Sequence, residues 1–205
     1  MTPGVHEYTD QRAYSFVQKP RSCPMSLAAP LPAPAANIPS LLPYLHAAAG
    51  ASLLFSAAIF GFFYAWVCST MWGLDAIPPK TAIEAMNGMN ASVRNVVFAP
   101  AFFGTPVVLG LTTGLAHLAG RPGVAALFAA AAVIYIGGAF LVTITVNVPM
   151  NQALMAADIP SSEAEAQAVW TAYSQKWQVF NLIRTCVTGV VLALVGLALF
   201  RLGRG

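Results

Sequence analysis

The sequence predicts an all-α integral membrane protein: a four-transmembrane-helix bundle with helical extramembrane extensions in the loops between spans 1 and 2 and spans 3 and 4. Three observations carry this. Of its 205 residues, 58% are hydrophobic and only 8% charged, whereas soluble domains carry roughly 25% charged residues. Four apolar runs are long enough to cross a hydrocarbon core, which takes about 20 helical residues. The few polar side chains set into those runs gather toward one end of the predicted bundle, and buried polar groups in a membrane normally face protein or a cavity.

Residues 1–43 form a tail holding Pro20, Pro24, Pro30, Pro32, Pro34, Pro39 and Pro43. With little apolar periodicity it reads as disordered or extended. It has no charged n-region followed by an apolar h-region, so it does not read as a signal peptide. Residues 44–205 are the membrane domain, with spans at about 47–72, 96–118, 124–148 and 179–202. Pro100 and Pro106 sit in the second span, where neighbouring helices can satisfy the freed backbone. Ala47, Gly50, Gly61, Gly104, Gly110, Gly114, Gly137 and Gly138 are small enough to let helices approach closely.

The two long loops lie on one side and both read as helical. After Pro78 comes TAIEAMNGMNASVRN, which carries Glu84, Asn87, Asn90 and Arg94 beside apolar Ile83, Met86, Met89 and Val93. Ser162 followed by Glu165 is a capping box. From there one helix runs through Trp170 into the fourth span, about 60 Å in all and twice the hydrocarbon thickness, so its first half must project, bend or lie on the surface.

Lys and Arg place the termini and the 120–123 turn in the cytoplasm. Six of them (Arg12, Lys19, Arg21, Arg121, Arg201 and Arg204) are on that side, against Lys80, Arg94, Lys176 and Arg184 on the other. If the source is bacterial, the membrane is the inner one. A net charge of +3 without a clustered basic face excludes nucleic-acid binding. Cys23, Cys68 and Cys186 form neither a metal spacing nor an even disulfide set; Cys68 and Cys186 read as small buried hydrophobes. His6, His46 and His117 are far apart and lie away from the polar cluster. With no carboxylate inside a span, no metal site is predicted, and no nucleotide motif is present either.

The chemistry-bearing residues are concentrated in three places. On the last helix, Trp170, Tyr173, Trp177, Asn181 and Arg184 step by three or four and share a face. Trp170 and Tyr173 alone read as rings at the membrane–water boundary. The continuation into an amide and a guanidinium makes Trp177 part of a site. Arg184 needs a partner if buried, and Glu84 is the natural counter-ion, with Asp158 and Glu163 as alternatives. Asn147 and Asn151 flank Pro149, which removes a backbone donor. They either cap a terminating helix or line a polar pocket, and Thr143 and Thr145 extend that surface.

The runs AIEAMNGMNASVRNVVFAPAFFGT, TITVNVPMNQAL and WTAYSQKWQVFNLIRT resemble the domain of unknown function 1772 family, small four-helix membrane proteins related to fungal anthrone oxygenases. The likeness covers about residues 45–200. It rests on the Asn147-x-Pro149-x-Asn151 step, then on Trp177, Asn181 and Arg184, and then on Asn90. It implies oxidation of a fused-ring phenolic anthrone to an anthraquinone by dioxygen with neither metal nor flavin. For that chemistry the residues of this chain can be cast in roles that the resemblance itself does not assign: Arg184 holds the oxyanion, and Asn181, Asn147 and Asn151 supply amide donors. Asn90 and Arg94 add polar contacts, Trp177 and Tyr173 form an aromatic wall, and Glu84 is the candidate base.

Two readings stay open. One is a cofactor-free oxygenase acting on a hydrophobic aromatic molecule. The other is a non-catalytic membrane protein that binds or moves a small molecule, or serves as a scaffold or homo-oligomer, with the polar cluster holding its bundle together. A void faced by Arg184 and the amides favours the first, and mutual saturation of those groups favours the second. A groove open to lipid between the first and fourth spans would suit hydrophobic molecules under either.

Overall fold

The computed structural model describes residues 40–204. The tail prolines up to Pro39, His6 and Cys23 lie outside them. Among the described residues there is no strand. Four helices are long and apolar enough to span a membrane: α1 (Leu42–Asp75), α3 (Phe98–Leu118), α4 (Pro122–Ala156) and α5 (Glu163–Leu202). A shorter helix, α2 (Pro79–Ser92), fills the loop between α1 and α3.

Each end has a local cause. Pro43 and Pro122 sit in first turns, where a missing N–H costs nothing. Gly120, at φ 71°, supplies the left-handed residue that lets α3 turn back into α4. Asn95 caps α3, its Oδ1 accepting from the N–H groups of Val97 and Phe98. The Ser162 hydroxyl accepts from Glu165 N at 3.2 Å, as the capping box requires, and α5 then runs unbroken for 40 residues.

The four long helices form a ring in which α1 packs on α3, α3 on α4, α4 on α5 and α5 on α1. Leu45, Ile59, Phe63, Leu109, Phe128 and Tyr135 are among the side chains that fill its centre. Polar bonds tie the ring where lipid offers no competing partner. Ser52 and Thr112 join α1 to α3 at 2.9 Å. Pro106 has no N–H for the Phe102 carbonyl four residues back, and the Tyr135 hydroxyl of α4 donates to that carbonyl at 2.8 Å. The glycines act unequally. A Cβ on Gly104 or Gly138 would come within 2.7 Å of Phe55 or Val187, whereas Gly50, Gly61, Gly110, Gly114 and Gly137 face open space.

The extra length of α5 is used in a second apolar cluster beyond the ring. The end of α1 (Met71, Leu74), α2 (Ala82, Ile83, Met86), Leu154 of α4 and Ala166, Trp170, Tyr173 and Trp177 of α5 pack together there. Trp170 and Tyr173 are therefore interior residues, 2% and 7% exposed, and not a boundary belt. The Trp170 indole donates to Asp75. Lys80 bonds the Ser161 carbonyl and pairs with Glu163 at 3.6 Å, closing α2 onto the start of α5. Cys68 and Cys186 are also placed differently from the sequence reading: both are free thiols on the outer surface, which lipid can solvate as well as a core would.

Pro149 does not end α4. The helix widens into π-helical turns at Ile136–Phe140 and Thr143–Asn147 and then continues to Ala156. A third wide turn, Trp66–Thr70, lies in α1. Such turns rotate everything beyond them relative to a regular helix, and they recur at functional sites.

Candidate functional site

Two of the wide turns, through Trp66 and through Thr143, Ile144 and Asn147, border a cavity of about 620 Å³ at the end of the ring opposite the described termini. Its walls are mostly apolar and aromatic: Phe62, Phe63 and Trp66 from α1, Phe98, Phe102 and Phe103 from α3, and Trp177 from α5. Residues 93–96 of the α2–α3 connection bound it on one side. Phe103 of α3 and Ile144 of α4 line the cavity and are 55% and 41% exposed on the outer surface. The mouth is thus framed by α3, α4 and the connection, with apolar Phe103, Ile144 and Val96 and polar Arg94 and Asn95 at its rim. A groove between the first and fourth spans is not where the cavity opens.

Arg184 sits at the inner wall, 4% exposed. Its guanidinium lies 4.5 Å from the Phe63 ring centroid and 5.3 Å from that of Trp177. One terminal nitrogen donates to Asn181 Oδ1 at 2.9 Å and the other to Thr143 Oγ1 at 3.2 Å. Asn181 is held in turn by donating to the Phe63 carbonyl at 3.0 Å. These contacts fix the cation across α1, α4 and α5. The ring faces attract it weakly, by about 0.5–2 kcal/mol each.

No carboxylate pairs with Arg184 among the described residues. Glu84 stands on the exposed face of α2 and does not line the cavity, Asp158 is exposed and Glu163 is bound to Lys80. The reason is geometric. Ala82, Met86 and Asn90 form the inward stripe of α2 at four-residue steps, and Glu84 lies two residues off that stripe. The cation therefore faces the cavity with its charge unneutralised, and its Nε has no hydrogen-bond partner.

The two asparagines of the Asn-x-Pro-x-Asn step have opposite surroundings. Asn151 is a joint: its Nδ2 donates to Asn90 Oδ1 at 2.8 Å, while its Oδ1 accepts from the Tyr173 hydroxyl at 2.8 Å and from Trp177 Nε1 at 3.0 Å. Asn147, 1% exposed, also lines the cavity, yet neither its Oδ1 nor its Nδ2 has a partner. It is the last residue of a wide turn and makes no side-chain cap. Thr143 bonds Arg184, whereas Thr145 bonds its own helix at Leu141 and faces outward.

The structure thus brings Asn90, Arg94, Asn147, Asn151, Trp177, Asn181 and Arg184 onto one cavity. Arg94 is at the exposed edge, and Tyr173 is one hydrogen bond behind the wall. Sequence reasoning missed Phe63 and Trp66. The available signal was the period of α1: Phe63 continues the buried stripe through Ser52, Ser56 and Ile59, and Trp66 follows it three residues on. Sequence reasoning also missed Asp75, which accepts from Trp170, Ser174 and Gln178 and anchors the projecting part of α5. A lone carboxylate closing a long apolar run was the available signal.

Among the described residues, no three His, Cys, Asp or Glu side chains are grouped as a metal would require. The cavity lining itself contains none of these four residue types. What it offers is one desolvated cation, amide groups and an apolar space walled by aromatic rings. That arrangement suits an aromatic molecule carrying an oxygen on which negative charge can develop.

No curated protein and no solved structure matches the chain. A family model described as anthrone oxygenase matches residues 94–194, just under half of it. The matched stretch takes in α3, α4 and most of α5, and with them Arg94, Asn147, Asn151, Trp177, Asn181 and Arg184.

Proposed function

We propose that this integral membrane protein is an oxygenase of fused-ring, anthrone-like molecules, and that it works by holding the substrate as an anion. The observation that carries this reading is the buried, uncompensated Arg184 at the wall of a largely aromatic cavity, together with the likeness to the anthrone oxygenase family over residues 94–194.

The lining supplies no carboxylate or imidazole to act as a base, so the work falls on Arg184. A doubly benzylic C–H activated by a ketone loses its proton to water at the cavity mouth once the resulting enolate oxygen rests against the guanidinium. A cation in a low-dielectric site lowers the energy of that anion far more than water would. The electron-rich anion passes one electron to dioxygen, the two radicals combine into a C–O bond, and protonation gives a hydroperoxide. Loss of water then leaves a second ketone. One dioxygen is consumed; one of its atoms stays in the quinone and the other leaves as water. The Lys and Arg distribution favours cytoplasmic termini, which puts the cavity toward the opposite face of the membrane.

The mutual hydrogen bonding of Asn90, Asn151, Tyr173 and Trp177 favours the second reading for those residues, in which part of the polar cluster is structural and the cavity only binds. Oxygen uptake by purified protein in detergent, with emodin anthrone, separates the two. Arg184→Met keeps an apolar stem between Phe63 and Trp177 and removes the charge. Enzymatic uptake above the spontaneous rate that falls about 100-fold or more in the variant is the expected result. Equal rates for wild type, variant and empty detergent would sink the oxygenase reading.

A further inference from the structure

We infer that the cavity also binds a small monovalent inorganic anion, chloride being the plainest case, as the exchangeable counter-ion of Arg184. The binding stands on the charges of the lining and not on the oxygenase reading. That reading adds one consequence: a substrate held as an anion must displace the ion.

The lining carries two ionisable side chains, Arg94 and Arg184, and both are cations. Arg184 is 4% exposed and has no carboxylate partner among the described residues. A buried charge without a partner is strongly destabilising, and an opposite charge that enters beside it offsets that cost. The bonds already made leave donors for such an ion. A guanidinium has five N–H groups. One is spent on Asn181 Oδ1 at 2.9 Å and one on Thr143 Oγ1 at 3.2 Å, and both acceptors are neutral. Each terminal nitrogen keeps a second N–H, and the Phe63 and Trp177 rings bring no net charge.

Depth sets the route. About 27 Å of helix separates Arg184 from Leu202 at the end of α5. The hydrocarbon core is about 30 Å thick, so the guanidinium lies close under its boundary on the side opposite the described termini. Arg94 and Asn95, both exposed, stand at the rim of the cavity. A cationic rim raises the local concentration of anions and steers them inward. Beyond it the walls are mostly apolar, so ease of dehydration decides preference: thiocyanate and iodide bind more tightly than chloride, and fluoride least.

Chloride itself is the probe, read by nuclear magnetic resonance of its nucleus, whose line broadens as the ion exchanges with a site on purified protein in detergent. Wild type broadens the line saturably, and thiocyanate removes the broadening at a lower concentration than fluoride does. Arg184→Met removes the cation, and Thr143→Asp sets a carboxylate beside it. Each variant, shown by circular dichroism to be folded, lowers the broadening about tenfold or more. Broadening that persists in either folded variant marks an adventitious ion only and overturns the inference. So does wild-type broadening that rises linearly with chloride and resists thiocyanate, and this titration decides alone if neither variant folds. In oxygen uptake, chloride raises KM for emodin anthrone and leaves kcat unchanged; a KM that ignores chloride overturns the inference, because ion and substrate would not share Arg184. Uptake without saturable broadening overturns the inference and leaves the oxygenase reading standing. Saturable broadening lost in the variants, without any uptake, upholds the anion site and sinks the oxygenase reading.

Discussion

Replacing Asn151 by Leu should loosen the protein at the joint between α2, α4 and α5. Three hydrogen bonds meet at this amide, at 2.8, 2.8 and 3.0 Å. Leucine has similar volume, so packing changes little and the loss is one of polar matching. The Tyr173 hydroxyl and the Trp177 indole N–H, both in buried residues, would be left without acceptors. Asn90, whose Nδ2 is already unpaired, would have no partner at either amide atom. Inter-helical hydrogen bonds in membrane proteins average about 0.6 kcal/mol, and orphaned buried groups in soluble proteins cost about 1–3 kcal/mol each. The joint lies at the end of the ring, between these two regimes, which gives about 2–4 kcal/mol for the three. At 2–4 °C per kcal/mol for a chain of this size, the unfolding midpoint should fall by roughly 5–15 °C. Thermal unfolding in one detergent, followed by circular dichroism and tryptophan fluorescence, measures it. Tyr173→Phe removes a single bond and should account for about a third of the effect. A fall of less than 2 °C would refute the argument, and so would an equal fall in Asn147→Leu, because the two asparagines would then not differ in role.

Four other outcomes follow from the same geometry. Ile144→Trp narrows the mouth between α3 and α4 and should raise KM for a three-ring substrate several-fold with kcat little changed; an unaltered KM would place entry elsewhere. Glu84→Gln should keep oxygen uptake within about twofold of wild type, since the carboxylate stands outside the cavity; a large loss would restore it as the base. Gly138→Ala drives a Cβ to 2.7 Å from Val187 and should lower stability by about 1–3 kcal/mol, read as a lower unfolding midpoint, while Gly137→Ala should be neutral or better. Tyr135→Phe leaves the Phe102 carbonyl without the donor that replaces Pro106 N–H and should cost about 1 kcal/mol in the same assay, with no change meaning that another group satisfies it.

The four spans, the helical loops and the long capped α5 were legible in the chain because each depends on local quantities: run length, hydropathy, a capping box and prolines in first turns. The stripe from Trp170 to Arg184 was legible for the same reason, since a regular helix converts steps of three and four into one face. The match of Asn90 to the inward stripe of α2 follows the same rule, and it also puts Glu84 off that stripe. That offset could have been read beforehand, but the need to neutralise Arg184 outweighed it.

Three matters depended on tertiary structure. Whether Trp170 and Tyr173 face lipid or protein depends on α2 and the end of α1 folding over them, and hydropathy is the same in either case. That Phe63, the last residue of the regular inward stripe of α1, meets the guanidinium depends on how α1 packs against α5, which no periodicity within α1 records. Asn147 and Asn151 are chemically identical and one turn apart, so nothing in the sequence separates the amide that holds the bundle from the one left without a partner. Only the positions of Asn90, Tyr173 and Trp177 around Asn151, and their absence around Asn147, make that distinction. Hydrogen-bond partners are set by three-dimensional neighbours, and a one-dimensional pattern can place a polar residue on a face without telling what it meets there.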